Sequence, residues 1–509
     1  MAVLIGIDVG TTNWKAAAFN EEGKPVVIRK TPTVTRYDQK GQGYYDPDEI
    51  WANVSNVIKQ VVDACGSENI AAVSVASMAE SVVPIDKEGR TYYPVIAWFD
   101  IRSRKQSQEV IDRFGRNNLF EMTGLDPNPI FSVPKIMWIR ENEPEVYKKA
   151  YKWLQMSDYI NWRLCGEFVT DYTLASRTLA FDIDNNKWSE EILGEMNIPK
   201  DTFPTILESG KVIGKVNNSA SKLTGIPEGV PVVMGGHDHP CATIPTGVLL
   251  GRKILDSSGT AESFLLVSGK GEKLPKENKG QRVCRYLDPS RYVLWGGIIA
   301  SGASVDWGFK RFASVDEWGF EKIDYSYSSL MGKVEAVPPG SNGAMYLPHL
   351  RGSGAPYWDP RSKGAFLGLK STHTSPELMR ALFEGLSFQA RMVVEMEENV
   401  AGYNVESLCT VGGGTRLRMW QQIKADITGK TIEIPEVEDA TALGVAFLAG
   451  VGVGIYKDIE EASKAVSRYN KRIEPDIKNR DFYNKLYEIY SNAYYALVET
   501  NAKLDETFR

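Results

Sequence analysis

The sequence predicts an α/β protein built from two related domains, and three observations carry that prediction. The chain has 509 residues, whereas one domain typically holds about 100–200. Apolar, β-branched runs of strand length alternate with helix-length stretches along the chain. An Asp-then-Gly-Thr turn also occurs twice, as Asp8-Val9-Gly10-Thr11-Thr12 and as Asp256-Ser257-Ser258-Gly259-Thr260. An internal echo of this kind points to related units.

Residues 3–8 are apolar and β-branched and run into Gly10-Thr11-Thr12. A second run, 15–19, follows at once, then Glu21-Glu22-Gly23, then 25–29, which reads as a strand meander with tight turns. Residues 48–64 read as a helix and 71–76 as a buried strand, by its apolar run and length. Residues 102–123 and 134–164 read as mostly helical. A buried strand at 231–235 leads into Gly235-Gly236-His237-Asp238-His239. The second half starts over, with strand 253–257, a turn at 258–260 and a returning strand at 263–267. A long helix runs from Thr374-Ser375-Pro376-Glu377 to about 398, with Ser375 expected at the N-cap and Pro376 in the first turn. Gly412-Gly413-Gly414 precedes a helix to about 428, a small-residue helix covers 441–449, and an amphipathic helix starts near 479. The expected boundary falls at 246–250, giving domains 1–246 and 247–509.

The bulk numbers exclude some functions. Hydrophobic residues make up 43% and charged residues 24%, which is ordinary for a globular protein. A net charge of −6 argues against a nucleic-acid partner, because a phosphate backbone needs a basic surface. Cys65, Cys165, Cys241, Cys284 and Cys409 are scattered, odd in number and without a CxxC. They read as reduced thiols of a cytoplasmic protein. The first ten residues lack a basic leader, and no apolar run reaches about 18–20 residues, so neither a signal peptide nor a membrane partner is expected.

The repeated turn is where chemistry first shows. A tight Gly turn lets backbone N–H groups converge on an anion. Thr11 and Thr12 add hydroxyl donors, Lys15 adds a cation, and Asp8 supplies a carboxylate suited to Mg²⁺. A plain β-hairpin turn has the same composition, but the second loop, Ser258-Gly259-Thr260, favours phosphate. Two other candidates read as structural. Gly429-Lys430-Thr431 resembles the end of a P-loop, yet Lys424 stands where the earlier Gly is required. The Gly450–Gly454 run follows a helix pattern rather than a strand.

With these motifs in view, the chain resembles the FGGY carbohydrate kinases of the actin-like ATPase superfamily almost end to end. The first loop is similar to the family's N-terminal phosphate motif. Residues 130–142, IFSVPKIMWIREN, resemble its first signature, with Ile130 at a position usually aromatic or small. Residues 364–384, GAFLGLKSTHTSPELMRALFE, resemble the second, with Leu382 as the one departure. The triple Gly with Trp420 through Asp426 and Gly429 looks like the adenosine loop, and Asp439-Ala440-Thr441-Ala442-Leu443-Gly444 like the helix after it.

The resemblance implies two actin-like (ribonuclease H-like) domains, each a mixed sheet flanked by helices, with a ligand cleft between them. It implies ATP-dependent phosphorylation of a hydroxyl on a small sugar or polyol, preferably a ketose or linear polyol. Asp238 is the implied general base, because a carboxylate must orient the hydroxyl and take its proton; its other reading is a turn cap. The implied sugar contacts are Glu80, Trp98, Asp100, Arg102, Asp238 and His239. For Asp100 and Arg102 a salt-bridged loop is the alternative, and for Trp98 a place in the core. ATP is expected on Thr11, Thr12, Lys15, Gly259, Thr260, Gly302, Gly413, Gly414 and Leu417, and Mg²⁺ on Asp8 and Asp238. Leu417 stands where the family often has Ser or Asn near adenine. Residues 78–81, Met-Ala-Glu-Ser, match no single subfamily. His237 and His239 also suggest a transition-metal pair, although only His349 and His373 remain as further histidines. A filament-forming or non-catalytic actin-like ATPase is the rival of another class. The oligomeric state is left open, a homodimer included.

Overall fold

The computed structural model of the protein describes residues 2–317, 321–324, 326–437 and 439–508. The first sheet grows from β1 (Val3–Val9), β2 (Asn13–Asn20) and β3 (Pro25–Pro32), an antiparallel meander as the sequence predicts. Helix α1 (Pro47–Cys65) follows. Asp46 caps it, accepting from the Asp48 and Glu49 amides at 2.9 and 3.2 Å. Ile50, Trp51, Val54, Val57, Ile58 and Val61 recur at helical spacing and form its buried face. The sheet is completed by β4 (Ile70–Ser77), then, after α2 (Ser132–Asn142) and α3 (Met156–Cys165), by β5 (Val212–Lys215) and β6 (Pro231–His237). Its order is β5-β6-β4-β1-β2-β3, with β1, β4 and β6 parallel.

The second half repeats the plan. It contains β7 (Lys253–Ser258), β8 (Glu262–Val267), β9 (Arg282–Arg285), β10 (Tyr292–Ile298), α4 (Gly302–Phe312) and α5 (Ser375–Ala401). Then come β11 (Ser407–Val411), α6 (Arg418–Thr428), β12 (Thr431–Pro435), α7 (Ala440–Gly452), β13 (Tyr469–Ile473) and α8 (Ile477–Thr507). The order is β9-β10-β8-β7-β11-β12-β13, with β7, β11 and β12 parallel. Leaving aside the edge strands β5, β9 and β13, the two sheets read β6-β4-β1-β2-β3 and β12-β11-β7-β8-β10. The echo seen in the sequence is therefore a duplicated topology.

The two halves are interlocked by α7, which follows the second sheet's β12 yet packs on the first sheet. Alternation along β1 explains this. Val3, Ile5 and Ile7 join the cluster that contains the α1 face, while Leu4 joins the one containing Ala442, Val445 and Ala446 of α7. Gly6 lies on the α7 side, where a Cβ would stand 2.0 Å from the Ala442 carbonyl oxygen. Backbone meets backbone there, and only glycine permits it. Asp8, two residues further on, is carried to the N-terminus of α7.

Some elements differ from the sequence reading. Residues 102–123 hold two helices, Arg104–Phe114 and Arg116–Thr123, broken by Gly115 at φ 76°. Residues 134–164 include a short strand, Lys152–Leu154. The N-cap of α5 is Thr374, not Ser375. Glu377 reaches back to accept the Thr374 amide at 3.0 Å, a capping box that shifts the helix start by one residue. All five cysteines are free thiols. Among the described residues no helix is long and apolar enough to cross a membrane.

Candidate active site

Asp8 stands directly across the β1–β2 ladder from Lys15. Lys15 Nζ lies 3.3 Å from Asp8 Oδ2 and 2.7 Å from Asp439 Oδ2. Asp439 is the N-cap of α7, accepting the Ala442 amide at 3.2 Å. Asp8 Oδ1 is buried and has no protein partner. Burial pushes the Asp8 carboxyl up to about 7; Lys15 opposes the rise, and Asp439 and Asp238 add to it. Thr11 and Thr12 are exposed at the tip of the turn, which the Gly10 amide closes on the Asn13 carbonyl at 3.2 Å.

Asp238 follows β6 and opens a short helix, Asp238–Ala242. The His239 amide donates to Asp238 Oδ1 at 2.7 Å, and His237 Nε2 lies 3.2 Å from the same oxygen. Burial holds the His237 imidazole well below its usual pKa, so the ring is neutral. Burial likewise brings His239 down to about 4, with Arg177 adding to the effect. Burial pushes the Asp238 carboxyl up to about 7; Glu80 contributes, while the His239 amide, Lys15 and Arg177 oppose. A carboxyl that titrates near neutrality can accept a proton from a bound alcohol.

Glu80 sits after β4 in the left-handed region, at φ 63°, a strained conformation that concentrates at functional sites. Its Oε1 accepts Arg177 Nε at 2.6 Å, and Arg177 Nη2 bonds the same oxygen. Lys135, fully buried on α2, donates to the carbonyls of Glu80, Ala97 and Trp98 at 2.8, 2.8 and 3.2 Å. It thereby holds the loop after β4 against the loop at 97–98. Trp98 is half-buried and packs edge-on against Phe99, 5.6 Å between centroids. Asp100 and Arg102 close on each other, Nε to Oδ1 at 2.9 Å and Nη2 to Oδ2 at 3.0 Å, and Asp100 also takes the Gly43 amide at 2.7 Å. They form an ion-paired loop.

The second half supplies one wall. Trp295 of β10 lies 4.9 Å from the His237 ring and 5.1 Å from the His239 ring, and Arg177 Cζ stands 4.8 Å above it. In the second half, Gly259 and Thr260 are exposed at the β7–β8 turn. The Gly302 and Ala303 amides donate to the Gly259 and Thr260 carbonyls at 3.0 and 3.1 Å, docking the start of α4 on that turn. A Cβ on Gly302 would lie 2.5 Å from the Gly259 carbonyl, and one on Gly414 would lie 2.2 Å from Ser258 Oγ. Gly413 has open space around it. Leu417 precedes α6 and donates its amide to the Gly414 carbonyl at 3.1 Å.

Asp256, the echo of Asp8, is differently engaged: Lys424 lies 2.6 Å away in a fully buried ion pair. Of the two repeated aspartates, only Asp8 faces Lys15, Asp439 and Asp238. Gly429 is the C-cap of α6, and Lys430 bonds Glu398 and the Val405 carbonyl, so that stretch is structural. Among the described residues no three His, Cys, Asp or Glu side chains close on one point as a metal cage. Mg²⁺ needs no such cage, since it keeps waters and substrate phosphates beside one or two carboxylates. The orphaned Asp8 Oδ1 next to Asp238 fits that need.

Arg177 and Trp295 are absent from the sequence reading, and Lys135 and Asp439 stand there only inside longer motifs, with no site role. Lys135 did leave a trace, as a lone cation inside an apolar helix face.

The N-terminal domain of the FGGY family of carbohydrate kinases matches residues 3–244, and its C-terminal domain matches residues 257–453. A xylulose kinase of Bacillus subtilis (strain 168) is 30% identical over 100% of both chains. A glycerol kinase of Saccharolobus islandicus (strain M.14.25 / Kamchatka #1) is 30% identical over 90% of this chain and 89% of its own. The crystal structure of ligand-bound xylulose kinase from Lactobacillus acidophilus superposes with a TM-score of 0.90 at 25% identity, covering 99% of this chain and 100% of that one. These likenesses favour the kinase over the filament-forming ATPase. With two family domains matched in order on a duplicated fold, the chain belongs to the FGGY family of carbohydrate kinases.

Proposed function

We propose that the protein transfers the γ-phosphoryl group of ATP to a hydroxyl of a small ketose or linear polyol, with Asp238 as general base. Residues 1–246 would carry the acceptor and residues 247–509 the nucleotide. The observation that carries this reading is the position of Asp238. It stands at the end of β6, between the Glu80–Arg177 pair and the Asp8–Lys15 turn, with its carboxyl poised at about 7.

Glu80 and His239 orient the acceptor. Asp238 takes the proton as the hydroxyl oxygen attacks the γ-phosphorus, the bond to the β–γ bridging oxygen breaks, and ADP leaves. Thr11 and Thr12 meet the γ-phosphate, while the turn at Gly259-Thr260 and the loop at Gly413-Gly414 present backbone amides to the rest of the nucleotide. Mg²⁺, held by Asp8 and Asp238, would neutralise charge on the phosphates. Closure of the two halves excludes water and so favours transfer over hydrolysis.

The test is acceptor-dependent ADP release with Mg-ATP across ketoses and polyols, with Asp238→Asn as control. Activity lost in the variant with ATP binding retained supports the assignment. Near-full activity in the variant sinks it.

A further inference from the structure

The wall contributed by the second half brings a guanidinium with no ion-pair partner among the described residues up to the acceptor residues. Arg282 of β9 is directly across the ladder from Trp295 of β10. Paired residues share a sheet face, so Arg282 stands beside the indole that covers His237 and His239. Arg177 approaches from the other half. Its Cζ lies 5.3 Å from the Phe131 ring and Arg282 Cζ lies 5.8 Å from the same ring.

The two guanidinium groups differ in their partners. Arg177 is matched by Glu80, although its Nη1 is buried without a bond. Arg282 makes no ion pair among the described residues; its charge rests on the faces of Trp358, at 4.0 Å, and Phe131. Burial, and then the like charge of Arg177, bring it down to about 9, with Glu80 only partly offsetting them. Arg282 is partly buried, and Glu80 and Asp126 attract it without pairing with it; such an under-paired guanidinium beside the acceptor residues is one that a ligand can complete.

We infer that the acceptor is a polyhydroxy anion, whose carboxylate or phosphate rests on Arg282 beside Arg177 while a hydroxyl further along its chain meets Asp238. Guanidinium is the side chain best matched to either anion, through two parallel N–H bonds. Trp295 lies between the two ends of such a ligand. This inference rests on the kinase reading above and revises its acceptor from a neutral ketose or polyol to an anionic relative of one.

The test compares acceptors of equal chain length: neutral alditols and ketoses, the corresponding aldonic acids, and the corresponding sugar phosphates. One anionic series is expected to exceed its neutral counterpart in kcat/KM by about 10- to 100-fold, the range of a charged hydrogen bond. The series that wins identifies carboxylate or phosphate. Arg282→Gln should cut that ratio by about 10-fold or more, mainly through KM, and Arg282→Lys should restore part of it. The wild-type ratio needs no variant, so misfolding of Arg282→Gln does not decide the outcome. A neutral acceptor used as well as its acid and its phosphate overturns the inference and leaves the kinase standing. ADP release that no acceptor of any series stimulates overturns the kinase reading, and this inference with it.

Discussion

Arg177 Nε meets Glu80 Oε1 at 2.6 Å across 97 residues of sequence, with both side chains buried. Removing one partner leaves the other charged and buried. Arg177→Met is therefore expected to lose about 3–5 kcal/mol of stability, the range for a broken buried pair. Combining it with Glu80→Gln should recover part of the loss in thermal denaturation without recovering acceptor turnover. A double variant no more stable than Arg177→Met would show that the pair does not set the cost.

The Asp238 carboxyl should be visible in a pH profile. A base must be ionised, and its folded value is raised to about 7 from 3.8. Because Asp8 is raised to about 7 as well, log kcat/KM is expected to climb by between one and two per pH unit up to about 7 and then level. An acid limb with its midpoint near 4 would contradict the assignment. Asp238→Asn should lower kcat by about 10²–10⁴-fold while leaving the Kd for ATP without Mg²⁺ largely unchanged by calorimetry.

Gly302→Ala tests the nucleotide turn. The added Cβ would lie 2.5 Å from the Gly259 carbonyl oxygen, so the turn must shift. The KM for ATP is expected to rise about 10-fold or more, because small displacements of binding groups are costly. The KM for the acceptor should hold, and equal changes in both would mean that the effect is global.

Lys135→Met removes the donor shared by three carbonyls of the acceptor loops. Buried carbonyls left unpaired cost about 1–3 kcal/mol each. Stability should fall by at least about 2 kcal/mol, with an acceptor KM raised more than the ATP KM. Retained melting temperature together with unchanged kinetics would remove Lys135 from this role.

What the sequence made legible was local. The turns at Gly10-Thr11-Thr12 and Gly259-Thr260 and the strand-end Asp238 lie within a few residues of the signals that place them. The repeated aspartate was also legible, but not that Asp256 is closed off by Lys424, 168 residues away. Lys135 left only a faint trace, and Arg177, Trp295 and Arg282 carry no such local signal. Their roles come from strand pairing and from side chains that cross between loops. The one-residue error at the start of α5 has the same origin on a smaller scale: Ser375 and Thr374 are both good caps, and Glu377 chooses between them.

Gly6 and α7 have a consequence for how the molecule is made. The face of β1 that carries Leu4 and Gly6 is covered by a helix that ends at Gly452. During synthesis the opening sheet therefore waits, one face uncovered, for nearly nine-tenths of the chain to emerge.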